Sequence, residues 1–139
     1  MSEKSVTKLP KVEFAFPGPL RDALVEAVRA GTKTASASLL AEYEQLDQPL
    51  PAVGDRGTVV DSADSPVCVI ETTDVEVVLM EDVSDEHALA EGESYSTAEG
   101  WRAAHVEFWS TAEFREALGG NAVLDGSTLV VLERFAVVS

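Results

Sequence analysis

The strand-forming segments of this chain cluster in its middle and at its end, between and after helix-forming segments. Residues 58–60 and 67–80 are rich in β-branched side chains, and residues 128–138 form a further apolar segment of the same character. Strands and helices therefore do not alternate one by one, which disfavours a doubly wound parallel sheet. The order predicts an α+β fold: a small, curled, partly closed β-barrel flanked by helices.

Residues typical of helix ends support this order. Apolar residues recur at helical spacing over residues 20–30, with Pro19 before the segment and Gly31 just after it. Residues 39–46 predict a second helix, and Ser84 predicts the cap of a short helix that reaches Leu89. A last helix is predicted within residues 97–118, ended by Gly119 and Gly120.

Length and composition describe one ordinary globular unit. The 139 residues suit a single domain over residues 12–139, preceded by a flexible polar tail over residues 1–11. No apolar run approaches the ~20 residues of a membrane-spanning helix, so no membrane partner is expected. Cys68 is the only cysteine, which excludes an intramolecular disulfide and favours a buried, inert thiol. These features predict a cytoplasmic protein.

The charge balance restricts the partners. Ten basic residues face 25 acidic ones, for a net charge of −15. Duplex nucleic acid is held mainly by lysines and arginines clustered against phosphates, so extended duplex binding is not expected. Small or short ligands fit this balance better, because a single sheltered lysine can still form a local cationic pocket.

The segment that follows the first helix carries an amine and several hydroxyls. Lys33 lies two residues after Gly31, and Ser36 follows three residues later on a short polar turn. A lysine shielded from water can lose its proton and then activate a neighbouring hydroxyl as a nucleophile. The alternative interpretation of this segment alone is a solvated lysine beyond a helix C-terminus, where the helix dipole favours a cation.

Two further segments carry candidate functional groups. Glu91-Gly92-Glu93 follows the short helix that contains His87, and it offers either an orienting carboxylate or a solvated helix end. The aromatic residues between Trp101 and Trp109 either stack on a base or, more typically, fill a helix core, with His105 hydrogen-bonded at its margin. The two histidines and the cysteine lack metal-site spacing, so neither a metal nor another cofactor is expected.

Six segments, in order, resemble the ASCH domain family of the PUA-like superfamily. They are GTKTASASLLAEYE, PAVGDRGTVVD, PVCVIETTDV, HALAEGE, WRAAHVEFW and LVVLERFAVV, and they span most of the chain. The resemblance implies a PUA-like barrel with a cleft that binds a modified nucleoside or short single-stranded RNA. One bacterial member type is an N(4)-acetylcytidine amidohydrolase. By its pattern Lys33, Ser36 and Glu91 are the catalytic residues, and we expect Thr34, Arg102 and His105 to contact the substrate.

The sequence also departs from the family pattern in ways that leave three functions open. Serine replaces threonine at position 36, which keeps a hydroxyl, whereas Ser38 stands where many members carry an arginine. Ser94 and Tyr95 replace a glycine and an aspartate of the longer bacterial branch. The absence of an arginine at position 38 favours a small ligand over a phosphate backbone. The hypotheses are an amidohydrolase, a non-catalytic RNA- or nucleotide-binding module, and a single-strand ribonuclease.

Overall fold

A computed structural model describes residues 9–118 and 124–139, which contain one mixed five-stranded sheet and five α-helices. The sheet has the spatial order β1-β3-β4-β5-β2. Its strands are β1 (Lys11–Val12), β2 (Ala35–Leu39), β3 (Arg56–Val60), β4 (Pro66–Leu79) and β5 (Leu129–Val137). The helices are α1 (Pro19–Ala30), α2 (Leu40–Gln45), α3 (Asp85–Ala90), α4 (Ala98–Trp109) and α5 (Ala112–Leu118), and a 3-10 turn covers Met80–Asp82.

The sheet has two open edges. Strand β1 runs parallel to β3, and the other neighbouring pairs are antiparallel. Strands β1 and β2 stand at opposite ends of the strand order and do not pair with each other in the described part of the chain. The α+β class is therefore confirmed, but the expected barrel is not, because the sheet does not close.

Local signals placed several elements correctly. Helix α1 begins at Pro19 and ends at Gly31, whose φ of 85° gives the left-handed cap that glycine adopts readily. The Ser84 hydroxyl accepts a hydrogen bond from the His87 backbone N–H and so caps α3, as predicted. Cys68 is buried and free, also as predicted.

The structure differs from the sequence-based prediction in three places. Ser36, predicted on a turn, lies within β2, because residues 35–39 pair with residues 130–134 of β5. Lys11, assigned to the tail, lies in β1 opposite Thr58. The predicted helix over residues 97–118 is two helices, with a break where the Thr111 hydroxyl accepts a hydrogen bond from the Phe114 N–H. The predicted stop at residues 119–120 lies outside the described residues.

Two apolar clusters stabilise the sheet. One joins the helices to β5 through Trp101, Trp109, Val130 and Leu132. The other packs α1 against the sheet and includes Val25, Val28, Val59, Ile70 and Phe135. The first cluster holds α4 beside β2 through Leu39, Trp101 and Trp109. Over the described ranges, no helix is both long and apolar enough to cross a bilayer.

Candidate functional site

A cavity of about 430 Å³ lies between α1, β2 and α4. Its volume is within the roughly 300–1,000 Å³ that is typical of sites for small ligands. The polar side of its wall contains Lys33, Ser36, Glu91, Glu93 and His105. Its apolar side contains Phe14, Leu20, Leu24, Phe108 and Trp109. The cavity thus combines flat apolar walls with a few converging polar groups.

The residues after α1 and α3 are held together by close backbone contact. The Thr34 N–H donates to the Ala90 carbonyl at 2.9 Å. Gly92 has a φ of 66°, and a Cβ atom there would lie 2.1 Å from the Thr32 carbonyl oxygen. Glycine is therefore required at position 92 both for the backbone conformation and for the approach. This contact brings Lys33 beside the two glutamates that flank Gly92.

Lys33 is buried, with 3% of its surface exposed, and all its polar contacts are acceptors. Its Nζ donates to the Ala35 carbonyl at 2.9 Å, the Glu91 carbonyl at 3.3 Å and the Glu93 carboxylate at 3.1 Å. It also lies 5.7 Å from the centre of the Phe14 ring. Three acceptors match the three N–H donors of an ammonium group. The geometry suits a charged Lys33 that stabilises negative charge, rather than a neutral amine that takes a proton.

Glu91 lies at the centre of a buried hydrogen-bond network and is completely inaccessible to solvent. Its Oε2 lies 2.7 Å from both the indole nitrogen of Trp101 and Nε2 of His87. Its Oε1 accepts from the Tyr95 hydroxyl at 2.6 Å and lies 3.3 Å from Nε2 of His105. Burial acts to raise the pKa of this carboxyl, but the hydrogen bonds from both histidines and the charge of Lys33 outweigh it. The resulting pKa of Glu91 is far below its usual range.

The Tyr95 hydroxyl donates a hydrogen bond to this network. Burial raises the pKa of its phenol, and the neighbouring negative charge of Glu91 raises it further. Tyr95 was noted in the sequence only as a departure from the family pattern. Nothing in its local sequence indicates a partner, apart from its spacing of four residues from Glu91.

His105 connects this network to the cavity. Its Nδ1 donates to the Trp101 carbonyl at 2.9 Å, and its ring stacks on the indole of Trp101 with 4.3 Å between centroids. Trp101 is fully buried, which confirms a core role for that aromatic residue. The hydrogen bond of Nδ1 places His105 at the margin of the core, as predicted. The Trp101 N–H contact to Glu91 was not foreseen, because the two residues meet only through folding.

Two of the three predicted substrate-binding residues are not among the described residues that line the cavity. Among the described residues that line the cavity are Lys33, Ser36, Glu91 and His105, whereas Thr34 and Arg102 are not among them. The Thr34 hydroxyl instead donates to the Ala90 carbonyl at 3.2 Å. The Arg102 Nε is buried and has no hydrogen-bond partner within the described ranges. Substrate contact by Thr34 and Arg102 stays a prediction.

Two smaller cavities of about 380 and 160 Å³ adjoin the first, and Phe14 and Ser36 line all three. The larger of them contains the carboxyl groups of Glu13, Glu42 and Glu133. Burial raises the pKa of both the Glu42 and the Glu133 carboxyl. No lysine or arginine is found among the described residues of this second cavity. Such a wall repels phosphate groups and accepts uncharged or cationic ones.

A metal site is not formed by the described residues: residues 9–118 and 124–139 contain no group of three or more histidine, cysteine, aspartate or glutamate side chains able to hold an ion. The donors around Glu91 instead satisfy its carboxylate directly. The cavity wall carries an ammonium, a hydroxyl, carboxylates, an imidazole and aromatic side chains.

Comparison with known proteins agrees with this architecture. The profile of the ASCH domain matches residues 13–139. An ASCH domain structure from Lactobacillus crispatus superposes with a TM-score of 0.80 at 28% identity, covering 99% of this chain and 86% of that one. A protein structure from Enterococcus faecalis gives the same TM-score and identity over 93% of this chain and 76% of that one. No curated protein matches significantly. These similarities confirm the resemblance seen in the sequence: the chain belongs to the ASCH domain family.

Proposed function

We propose that this protein binds a modified nucleoside in the cavity of about 430 Å³ and hydrolyses an exocyclic amide of the N(4)-acetylcytidine type. The observation that carries the proposal is the grouping of Lys33, Ser36, Glu91 and His105 around one cavity with aromatic walls. A nucleobase presents a flat π-face to aromatic side chains and hydrogen-bonding edges to polar ones. Both kinds of surface are present in this cavity.

Ser36 is the proposed nucleophile. Ser36 is among the residues that line the cavity, and its peptide neighbour Ala35 binds the Lys33 ammonium through the backbone carbonyl. Attack of a hydroxyl on an acyl carbonyl creates a tetrahedral oxyanion, which a fixed positive charge stabilises strongly in a site that excludes water. Lys33 supplies that charge, because its ammonium is already held in place by three acceptors.

Glu91 influences the site through two residues that it contacts, Lys33 and His105. Its carboxylate is enclosed by donors, and its backbone carbonyl binds Lys33 at 3.3 Å. The carboxylate also contacts His105, which lines the cavity. We propose that Glu91 orients Lys33 and His105 rather than contacting the reacting amide. This is a positioning role, which corresponds to the orienting carboxylate that the Glu91-Gly92-Glu93 segment offered as one of its two interpretations.

The direct test is cytidine release from N(4)-acetylcytidine by the purified full chain, followed by chromatography. Lys33→Ala should reduce kcat/KM by roughly 10²–10³, because it removes the fixed positive charge that stabilises the oxyanion. Lys11→Ala is the matched control, because Lys11 is an exposed lysine paired with Asp64 at 2.7 Å and should turn over like the wild type. Equal rates for Lys33→Ala and the wild type, or no turnover by the wild type, would contradict the proposal.

A second candidate is binding of short single-stranded RNA, which family membership suggests. The observation that favours it is the continuity of the three cavities past Phe14 and Ser36, which offers a path longer than one nucleoside. The acidic second cavity opposes it. Affinity for a short oligonucleotide should fall steeply with added salt if phosphates are bound. The same oligonucleotide reports ribonuclease activity, the third candidate, if it is cleaved during the assay.

A further inference from the structure

The cavity contains five titratable side chains among its described residues: Lys33, Glu91, Glu93, His105 and Glu107. An amide hydrolase that uses a serine needs one group that accepts the hydroxyl proton and later returns it to the leaving nitrogen. The hydrogen bonds of each side chain show which of the five is free to do this.

Three of the five are already committed. The Lys33 ammonium donates to three acceptors and has no lone pair to receive a proton. The Glu91 carboxylate faces four hydrogen-bonding groups, and its side chain is 1% exposed. His105 uses Nδ1 on the Trp101 carbonyl and turns Nε2 toward Glu91. None of these three groups offers a free basic atom to a ligand.

Glu93 differs from these three in access. Its side chain is 24% exposed, so that it is sheltered but still reaches the open part of the cavity. Its Oε2 lies 3.1 Å from the ammonium of Lys33, the residue three positions before Ser36 in the chain. Glu107, the fifth group, is exposed on α4, and in the described part of the chain Lys33 pairs with Glu93 and not with Glu107.

From this elimination we infer that Glu93 is the general base and acid of the proposed hydrolysis, a further catalytic residue beyond Lys33 and Ser36. The inference rests on the proposed function. The neighbouring Lys33 ammonium, 3.1 Å from Oε2, holds the carboxylate in one orientation. Glu91, two residues earlier, remains a positioning residue.

The reaction balances with these groups alone. The Ser36 hydroxyl oxygen bonds to the acyl carbon while its proton passes to the Glu93 carboxylate, and the carbonyl π-electrons move to the oxygen near Lys33. Collapse of this intermediate breaks the C–N bond, and Glu93 returns the proton to the leaving nitrogen. Water then attacks the Ser36 ester with the same proton transfers, which releases the carboxylic acid and restores the hydroxyl.

The test is the pH profile of kcat/KM for N(4)-acetylcytidine, measured on the wild type, Glu93→Gln, Glu93→Asp and Glu107→Gln. A carboxylate base predicts that wild-type activity rises with pH on the acidic side and then levels off. Glu93→Gln should lose roughly 10²–10⁴-fold and show no acidic limb, because the amide cannot take the proton. Glu93→Asp should recover part of the rate together with the limb. Far-UV circular dichroism checks that each variant is folded.

Each outcome decides the inference. A wild type that turns over while Glu93→Gln stays within about threefold of it overturns the role of Glu93 and leaves the proposed function intact. A rate that rises only on the alkaline side, in both proteins, assigns the proton transfer to Lys33 instead. Loss of activity in Glu107→Gln but not in Glu93→Gln assigns it to Glu107. A wild type without turnover overturns the proposed function and the inference with it.

Discussion

Two glutamates separated by one glycine occupy opposite environments in this protein. Glu91 is sealed from solvent and surrounded by Trp101, His87, Tyr95 and His105. Glu93 has 24% of its side chain exposed and pairs with the Lys33 ammonium at the cavity. One carboxylate therefore stabilises the architecture of the site, and the other is available to a ligand.

This contrast shows that proximity in sequence does not assign a chemical role. Glu91, which the family pattern assigned to the site, is among the residues that line the cavity. Which carboxylate meets the ligand depends on how α3 and α4 enclose each one. Gly92, which lies between the two glutamates, has a positive φ and packs its backbone closely against the Thr32 carbonyl.

Loss of the buried charge should have the largest effect. Glu91→Gln leaves several buried donors facing an amide instead of a carboxylate, and we expect it to lower the free energy of unfolding by about 3–5 kcal/mol. Glu93→Gln is the matched control and should cost less, because the Glu93 side chain is 24% exposed and the amide oxygen of glutamine can still accept from the Lys33 ammonium. Urea unfolding of both variants measures the difference. Equal losses would contradict the contrast between the two glutamates.

The turn between the glutamates should be the next most sensitive feature. Gly92→Ala places a methyl group against the Thr32 carbonyl at a positive φ, so the backbone must move, at a cost of about 2–3 kcal/mol. Gly54→Ala is the matched control. It also has a positive φ, but nothing lies within 4 Å of its added Cβ, and about 1 kcal/mol is expected. Thermal unfolding compares the pair, and a smaller loss for Gly92→Ala would show that the contact is not tight.

Removal of one donor from Glu91 should have a moderate effect. Tyr95→Phe deletes the hydroxyl that lies 2.6 Å from Oε1 and should lower stability by about 1.5 kcal/mol, the usual worth of a hydrogen bond to a charged group. Tyr43→Phe, which deletes a hydroxyl bonded to the neutral Ser38 hydroxyl at 2.8 Å, should cost less. The reverse order in urea unfolding would indicate that the Tyr95 contact adds little.

Lowering the pH should remove the contribution of the Glu91 carboxylate to folding stability. The pKa of Glu91 is lowered in the folded state relative to its ordinary value near 4.5, so its stabilising contribution is complete above that pH. The contribution is lost as the pH falls below it, at no more than about 1.4 kcal/mol per pH unit for one group. Wild-type stability should therefore decline more steeply below pH 4.5 than that of Glu91→Gln. Parallel curves would assign the acid sensitivity to other carboxyls.

Elements with local signals could be read from the sequence, and those that depend on distant partners could not. Proline, glycine and Ser84 marked the ends of α1 and the start of α3 correctly. Ser36 could not be placed in a strand, because alanine and serine have little strand preference and the pairing comes from β5. The family pattern selected Lys33 and Glu91, but it did not indicate that Trp101 and Tyr95 would donate hydrogen bonds to Glu91. Those contacts exist only after α3 and α4 pack together.

The most direct measurement follows the side-chain carboxyl carbons of Glu91 and Glu93 by carbon-13 NMR during titration with cytidine, the product of the proposed reaction. Glu91→Gln and Glu93→Gln assign the two signals. The account predicts that the Glu93 signal shifts and saturates with cytidine while the Glu91 signal stays nearly constant. A saturable shift of Glu91 with Glu93 unchanged, or no shift of either signal at saturating cytidine, would contradict the claim that Glu93 is the carboxylate that meets the ligand.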